Sequence, residues 1–151
     1  MKYIKNILIV ICLMISFSSG QKIYIHAGKL IDGVTDIPIE MVTIVINGNI
    51  IQSILRGYLN PDSNDKLINL REYTVLSGLM DMHTHLSGES NPKRYMERYT
   101  MDLDDYAYRS IQFAERTLMA GFTTVRDLGG PVKTSLRDAI NKGYLIGPRI
   151  F

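Results

Sequence analysis

Two of the three histidines in the chain stand two residues apart, in the segment Asp81–His85. If this segment is a β-strand, alternate side chains share one face, so that His83 and His85 lie on one side together with Asp81. Their Cα atoms would be roughly 6.6 Å apart along the strand, which lets both rings reach one ion. Imidazole nitrogen suits Zn²⁺ and other transition metals. The spacing indicates a metal site, with two hydrogen-bonded loop histidines as the alternative.

Three charged residues lie near this pair or near the end of a neighbouring predicted strand. Asp81 could act as a distant ligand or hydrogen-bond to an imidazole, and bonding to the adjacent backbone is an equal alternative. Arg126 and Asp127 could orient substrate or ligands, although an ion pair between them is the favoured interpretation. The remaining histidine, His26, is interpreted as a surface or sheet residue.

The elements that must position these residues follow Ser77. Strands are predicted at Leu79–Leu86, Phe122–Leu128 and from Tyr144, and helices at about Asp102–Ala120 and Val132–Lys142. Alternation of strand and helix is typical of a parallel α/β sheet. The first helix has an apolar stripe with steps of three and four residues, formed by Leu103, Ala107, Ile111, Ala114 and Leu118. The nearby tyrosines are interpreted as packing residues: Tyr95, Tyr99, Tyr106 and Tyr108. Met80 and Met82 are also expected to pack.

Residues 22–76 contain short apolar segments that predict a small antiparallel sheet. The segments are Lys22–Ala27, a second short strand before Asp32, Met41–Ile46, Ile50–Ile54, Lys66–Leu70 and Thr74–Leu76. Asn47-Gly48 separates the two β-branched runs in the middle. Asn-Gly between such runs predicts a hairpin, because a type I′ turn needs positive φ at both central residues.

The first twenty residues have the layout of a secretory signal peptide. Lys2 and Lys5 precede the apolar run Ile7–Phe17, and the small-residue segment 18–20 follows. The run is shorter than the roughly 20 residues that span a bilayer. We therefore predict export to the periplasm or the medium, with cleavage near Gly20-Gln21 and no stable membrane anchor afterwards. An uncleaved anchor or a buried first helix is the alternative.

Charge and cysteine content exclude several classes of function. The chain has 17 Lys and Arg against 15 Asp and Glu, and Lys2 and Lys5 account for the whole excess. A neutral mature chain is a poor candidate for binding nucleic acid or an anionic membrane. The single cysteine, Cys12, falls in the predicted signal peptide. The mature protein therefore has no disulfide framework, cysteine zinc site or cysteine nucleophile.

Four motifs, in this order along the chain, resemble the amidohydrolase superfamily of metal-dependent hydrolases. Gly28–Gly33 resembles its first sheet, and Val75–Leu86 resembles its V-L-P-G-L-I-D-x-H-x-H signature, with Ser77 in place of the proline. Ala120–Gly130 and Gly147–Ile150 resemble the branch that holds imidazolonepropionase-like and Xaa-Pro dipeptidase-like members. The resemblance covers nearly all of the predicted mature chain.

The resemblance implies an α/β fold with two parts after the predicted signal peptide, residues 1–20. Residues 21–76 would be part of a small β-sandwich, and 77–151 the start of a (β/α)₈ TIM-type barrel. This start would comprise the first two βα units and the beginning of the third strand. A complete barrel needs about 250 residues. We therefore expect an N-terminal portion whose open sheet edges are prone to aggregation.

The resemblance also implies a chemistry. His83 and His85 would bind one of one or two zinc ions, and a zinc-bound hydroxide would attack the carbonyl of an amide, dipeptide or cyclic amide. The family takes its remaining ligands and its base from later strands, so we expect the base beyond Phe151 and an inactive isolated chain. The chain could form an oligomer. Two alternatives remain open: a small non-catalytic exported binding module, and a piece that assembles with a separately encoded remainder.

Overall fold

The structure, a computed structural model, describes residues 20–151. Lys2, Lys5, Cys12 and all but the last residue of the predicted signal peptide lie outside this part of the chain. The chain divides into two compact units, with the boundary between Ser77 and Gly78. Among residues 20–151, no helix has the length and apolar character needed to cross a bilayer.

The first unit is a four-stranded sheet. Its strands are β1 (Lys22–Ile31), β2 (Ile39–Asn47), β3 (Ile50–Arg56) and β4 (Lys66–Leu76), in the order β3-β2-β1-β4. Strand β1 runs antiparallel to β2 but parallel to β4. The expectation of an all-antiparallel sheet is therefore wrong. The connection 57–65 carries the chain from one edge of the sheet to the other, so that β4 enters in the direction of β1.

The hairpin predicted between β2 and β3 is confirmed, but its turn is different. Asn47 pairs with Ile50, which leaves Gly48 and Asn49 as the turn residues. Gly48 has a φ of 59°, whereas neither asparagine has a positive φ. Positive φ at the first central residue alone is the pattern of a type II′ turn rather than type I′. The register of the strands therefore moves the turn one residue beyond its predicted position.

Strands β1 and β4 are each continuous where two short strands were expected. Both cross an irregularity at Gly28, since Ala27 pairs with Leu70 and Lys29 with Thr74. A side chain at Gly28 would clash with the carbonyl oxygen of Arg71, so glycine allows the two backbones to approach. The bulge is accommodated within the pairing and does not end either strand.

The core of the first unit is aliphatic, and two polar residues, His26 and Thr43, are buried with it. Leu30, Val42 and Ile44 are buried, and other aliphatic side chains pack against them. His26, interpreted as a surface or sheet residue, lies on β1 but is fully buried, so the surface interpretation is wrong. Its burial is possible because both ring nitrogens have hydrogen-bonding partners, Leu59 and Arg71.

The second unit is a mixed α/β structure built on three parallel strands. These are β5 (Leu79–Thr84), β6 (Phe122–Asp127) and β7 (Arg149–Ile150), in the order β5-β6-β7. Its helices are α1 (Arg94–Thr100), α2 (Leu103–Met119) and α3 (Lys133–Asn141). The predicted alternation of parallel strands with the two longer helices is confirmed. Helix α1 was not predicted, since it is short and buries no residue.

The core of the second unit joins β6 and β7 to the two longer helices. Its buried cluster comprises Leu86, Ala114, Val125, Leu136 and Ile150. On α2 the predicted stripe is partly right, because Ala114 is buried whereas Leu103 at the first position is exposed.

Several side chains expected to pack are instead exposed. Met80 and Met82 are 68% and 60% exposed, because β5 is an edge strand of the sheet and the buried cluster lies on other elements. The tyrosines on α1 and one on α2 are also exposed, namely Tyr95, Tyr99 and Tyr108. Only Tyr106 of that group is partly buried. The packing interpretation is therefore wrong for the methionines and for three of the tyrosines.

Candidate metal-binding site

His83 and His85 lie at the carboxyl end of β5, the first on the strand and the second just past its end. Their ring centroids are 5.4 Å apart and their planes are inclined by 74°. Both side chains are exposed. The strand register shifts between Asp81 and Thr84, so the expected strict alternation is interrupted there. The two rings nevertheless lie next to each other.

The ring of His85 is held in one orientation by a backbone carbonyl. Its Nδ1 lies 2.9 Å from the carbonyl oxygen of Gly129, in the loop after β6. A carbonyl oxygen only accepts hydrogen bonds, so Nδ1 carries the proton and donates it. In the neutral ring, the lone pair is then on Nε2. Such an Nδ1–H to carbonyl bond is a common means of orienting a metal-binding histidine.

Asp127 connects the two loops that carry this hydrogen bond. Its side chain is 3% exposed, and Oδ2 accepts a bond from the backbone N–H of Leu86 at 3.0 Å. Oδ1 accepts from the N–H of Gly129 at 2.9 Å. One carboxylate thus fixes the residue that follows His85 and the residue whose carbonyl orients its ring.

The expected ion pair between Arg126 and Asp127 is wrong. Consecutive residues of a strand point to opposite faces, and Arg126 is exposed on β6 where Asp127 is buried. The carboxylate of Asp127 therefore bonds to backbone N–H groups and not to the neighbouring guanidinium.

Asp81 takes the backbone-bonding role that was one of its two interpretations. Its Oδ1 accepts a hydrogen bond from the N–H of His83 at 2.9 Å. The carboxylate also lines a cavity of about 480 Å³ together with both histidines. Asp81 thus holds the backbone at His83.

A second cavity, of about 320 Å³, is also lined by His85. It is lined by the loop after β5, the loop after β6 and the facing sides of α1 and α2. The sequence did not indicate this cavity. Helix α1 has no apolar periodicity, and the contacts that shape the cavity join residues distant in sequence.

An ion pair closes one wall of that cavity. Glu97 on α1 accepts two hydrogen bonds from the guanidinium of Arg109 on α2, both at 2.9 Å. The hydrogen bond from Arg109 lowers the pKa of the Glu97 carboxyl, and the carboxylate in turn raises the pKa of Arg109. Both groups therefore stay charged near neutral pH. The two residues are on different helices, so neither helix periodicity nor a sequence motif predicts their contact.

The donor atoms fit part of a metal site. Two neutral imidazoles are ligands that zinc accepts, and one is already oriented. Catalytic zinc usually takes three protein ligands. Within residues 20–151, no group of three or more His, Cys, Asp or Glu side chains converges on one point. The described part of the chain therefore offers two ligands and not a complete set.

Comparison with known proteins gives the family. The model of the Amidohydrolase family matches residues 74–151, more than half of the chain. The chain therefore belongs to the amidohydrolase family. Its structural neighbours are of the Xaa-Pro dipeptidase and prolidase type, so the resemblance drawn from the motifs is confirmed. No curated protein matches the chain.

Three solved structures illustrate the likeness. A Xaa-Pro dipeptidase with methionine bound in its active site is 47% identical, over 87% of this chain and 32% of that one, with a TM-score of 0.80. A prolidase complexed with N-methylphosphonate-L-proline is 29% identical over 87% and 31%, with a TM-score of 0.75. Molinate hydrolase is 29% identical over 89% and 30%, with a TM-score of 0.69. The chain thus spans about a third of the length of the solved relatives.

Proposed function

We propose that the chain forms the first part of a zinc-dependent amidohydrolase that cleaves a C–N bond in an amide, a dipeptide or a cyclic amide. The observation that carries this proposal is the adjacent pair of rings on His83 and His85, 5.4 Å apart at the end of a parallel strand. The similarity to a Xaa-Pro dipeptidase and a prolidase supports a small amide or dipeptide as the substrate.

We propose that residues 77–151 are the beginning of a (β/α)₈ barrel and that residues 21–76 form part of a β-sandwich. Three parallel strands in sequence order, with helices between them, support the first assignment. The carboxyl ends of barrel strands carry active sites, and His83 and His85 stand at such an end.

His83 and His85 would hold the metal, which would supply Lewis-acid polarisation of the scissile carbonyl. The protein's part is to present the two rings. The carbonyl oxygen of Gly129 accepts a hydrogen bond from Nδ1–H of His85, which orients the ring and leaves the lone pair of the neutral ring on Nε2. Asp127 fixes the loop that bears this carbonyl, and Asp81 fixes the backbone at His83. Neither carboxylate needs to touch the metal to serve this function.

We propose further that the 151 residues alone do not turn over substrate, because the described residues supply two of the three protein ligands that catalytic zinc usually takes. The number of zinc ions, one or two, depends on residues from later strands. Export with cleavage near Gly20-Gln21 remains our proposal for localisation. The balanced charge of the remaining chain supports a small-molecule substrate rather than nucleic acid or an anionic membrane.

The proposal is tested by metal titration of the metal-free chain 21–151. We expect Zn²⁺ to bind, and we expect His83→Ala and His85→Ala each to weaken binding by about tenfold or more, since each removes a ligand. Met82→Ala is the matched control, because Met82 is an exposed β5 residue between the two positions. It should bind zinc like the unaltered chain.

Equal zinc affinity in the histidine variants and the control would contradict the metal site and favour a non-catalytic binding module. Hydrolysis of an amide or dipeptide by the chain 21–151, abolished by His83→Ala, would overturn the inactivity proposal. Recovery of turnover on adding a separately encoded partner would instead show that the site is completed by assembly.

A further inference from the structure

A cavity of about 330 Å³ lies entirely within the first unit. It is lined by β1, by the start of β2, by the connection 57–65 and by β4. Its volume is at the lower end of the range of small-molecule sites. We propose that this cavity binds a small organic carboxylate, and that Arg71 on β4 holds the carboxylate group. The residues concerned are not those proposed to bind the metal.

The first observation is the irregular pairing of β1 and β4 at this cavity. Between two regular pairs of residues, residues 71–73 of β4 stand opposite Gly28 alone. All three line the cavity, as does Gly28. A β-bulge redirects side chains and is frequent beside functional sites. The bulge of β4 thus brings the side chains at 71–73 to one cavity.

The second observation is the backbone of Met41, which lines the cavity from β2. Its φ is 50°, and among residues 20–151 no other residue except glycine has a positive φ. Its carbonyl oxygen accepts a hydrogen bond from the N–H of Gly57 at 2.6 Å, which holds the start of the connection 57–65 against β2. Backbone strain of this kind is concentrated at ligand-binding and active sites. The strained residue therefore marks the same cavity as the bulge.

The third observation is the fixed orientation of Arg71. Its Nη2 donates a hydrogen bond to Nδ1 of the buried His26 at 2.9 Å. Its guanidinium carbon lies 4.3 Å from the centre of the Tyr58 ring, and Tyr58 also lines the cavity. A guanidinium that is already held by a ring nitrogen and an aromatic face loses little freedom when it binds a ligand.

The fourth observation is that the charge of Arg71 is not neutralised. The ring of His26 accepts its hydrogen bond but is neutral, because the proton on Nε2 is donated to the carbonyl oxygen of Leu59. Among residues 20–151, no carboxylate oxygen lies within 4 Å of the Arg71 guanidinium. Lys29, the other cation of the lining, is 3.7 Å from Glu40. Arg71 is exposed, so that a molecule in the cavity can reach it.

These features favour a carboxylate as the ligand group. A guanidinium matches a planar carboxylate with charge-assisted hydrogen bonds, and Arg71 retains N–H groups beyond the one that His26 accepts. Tyr58 and Tyr73 line the same cavity and offer ring surface to the body of the ligand. Glu72 also lines the cavity and repels anions. The site therefore suits a single negative charge better than a polyanion such as phosphate.

The test is equilibrium binding of benzoate and of its neutral analogue benzamide to the metal-free chain 21–151, measured by calorimetry. We expect saturable binding of benzoate and about tenfold or more weaker binding of benzamide, which lacks the negative charge. Arg71→Gln should weaken benzoate binding by about tenfold or more. Arg71→Lys should have an intermediate effect, because it keeps the charge but not the planar set of donors. Arg56→Gln is the control, because it removes an exposed arginine of the same unit that does not line the cavity, and it should leave the affinity unchanged.

The variant Glu72→Gln tests the same site in the opposite direction. It removes the negative charge that faces the ligand, so we expect benzoate to bind about threefold more tightly. Loss of folding cannot produce this result. Circular dichroism checks the Arg71 variants for folding, because Arg71 also bonds to His26. If Arg71→Gln does not fold, the comparison of benzoate with benzamide and the effect of Glu72→Gln decide.

Equal affinity for benzoate and benzamide, unaltered affinity in a folded Arg71→Gln, or no saturable binding at millimolar concentrations would overturn the proposal. An equal loss of affinity in Arg56→Gln and Arg71→Gln would also overturn it, because benzoate would then bind surface arginines in general. Tighter binding of inorganic phosphate than of benzoate would refute the choice of a carboxylate.

Discussion

The histidines of the two units lie in opposite environments. In the first unit, His26 is fully buried, with Nε2 2.8 Å from the carbonyl oxygen of Leu59 and Nδ1 2.9 Å from Nη2 of Arg71. A carbonyl only accepts and a guanidinium only donates, so the ring is neutral with its proton on Nε2. Both nitrogens are therefore committed to the fold. In the second unit, His83 and His85 are exposed, and Nδ1 of His85 bonds to the backbone.

This difference shows that partners, rather than residue type, decide whether a histidine can bind a ligand. The environment of His26 extends to Tyr58, whose ring lies 5.0 Å from the imidazole and 4.3 Å from the Arg71 guanidinium carbon. Because both of its ring nitrogens are hydrogen-bonded, His26 has no free lone pair for a metal ion or another ligand. At His85, one hydrogen bond orients the ring and leaves the lone pair of the neutral ring on Nε2, and His85 lines a cavity together with His83.

The largest effect that tests this contrast is expected for Asp127→Ala. It removes two hydrogen bonds to a buried charged acceptor, and bonds of this kind contribute about 1.5–3 kcal/mol each. We expect the free energy of unfolding to fall by about 3–5 kcal/mol. Zinc affinity should also fall by about tenfold, because the loop that orients His85 is no longer fixed. Urea denaturation and zinc titration measure the two effects.

The control for Asp127→Ala is Glu115→Ala, which removes an exposed carboxylate from α2. Its effect should stay within about 0.5 kcal/mol. If both variants were equally stable and bound zinc equally well, Asp127 would have no positioning role.

An intermediate effect is expected for His26→Leu, which keeps the bulk of the side chain but removes both ring nitrogens. The carbonyl of Leu59 and one N–H of Arg71 would then be buried without partners, at a cost of about 2–3 kcal/mol. His26→Gln should recover part of the loss, because its amide can donate to the carbonyl and accept from the guanidinium. Denaturation measures the stability, and amide exchange in β1 reports the first unit. Equal stability of His26→Leu and the unaltered chain would show that the ring only fills space.

The parts of the fold that could be predicted are those encoded by short-range patterns. The strand and helix alternation after Ser77 follows from periodicity and from glycines near element ends, and Asn47-Gly48 identifies the hairpin. The parallel pairing of β4 with β1 could not be predicted, because it depends on the path of the connection 57–65. The burial of His26 could not be predicted either, since its partners are 33 and 45 residues away in sequence.

Part of the candidate site could also be predicted from short-range patterns, and part could not. The His-x-His spacing identified the two rings, because both positions belong to one strand end. The role of Asp127 was within reach, since strand alternation already separates it from Arg126. The cavity of about 320 Å³ could not be predicted, because α1 has no apolar periodicity and the ion pair between Glu97 and Arg109 joins two helices.

The smallest expected effect concerns an ion pair in the second unit. The arginines of the two units differ in their partners, as the histidines do. Arg71 in the first unit is bonded to a neutral ring, whereas Arg109 in the second is bonded to the carboxylate of Glu97. The hydrogen bond from Arg109 lowers the pKa of Glu97 below its ordinary value of 4.5. Because the folded-state pKa is the lower one, the ion pair stabilises the fold fully above the unfolded-state pKa. This stabilisation is lost as the pH falls through the folded-state pKa.

The variant Glu97→Gln tests this dependence, because it keeps the shape of the side chain and cannot titrate. The difference in free energy of unfolding between the unaltered chain and Glu97→Gln should be largest near about pH 7 and shrink toward about pH 3. Denaturation curves at several pH values measure it, and Glu115→Gln, which removes an exposed carboxylate, should show little change. A difference that stays constant over this range would mean that the charge on Glu97 does not contribute to holding α1 against α2. Other contacts would then have to hold α1 against α2 and keep the shape of the cavity of about 320 Å³.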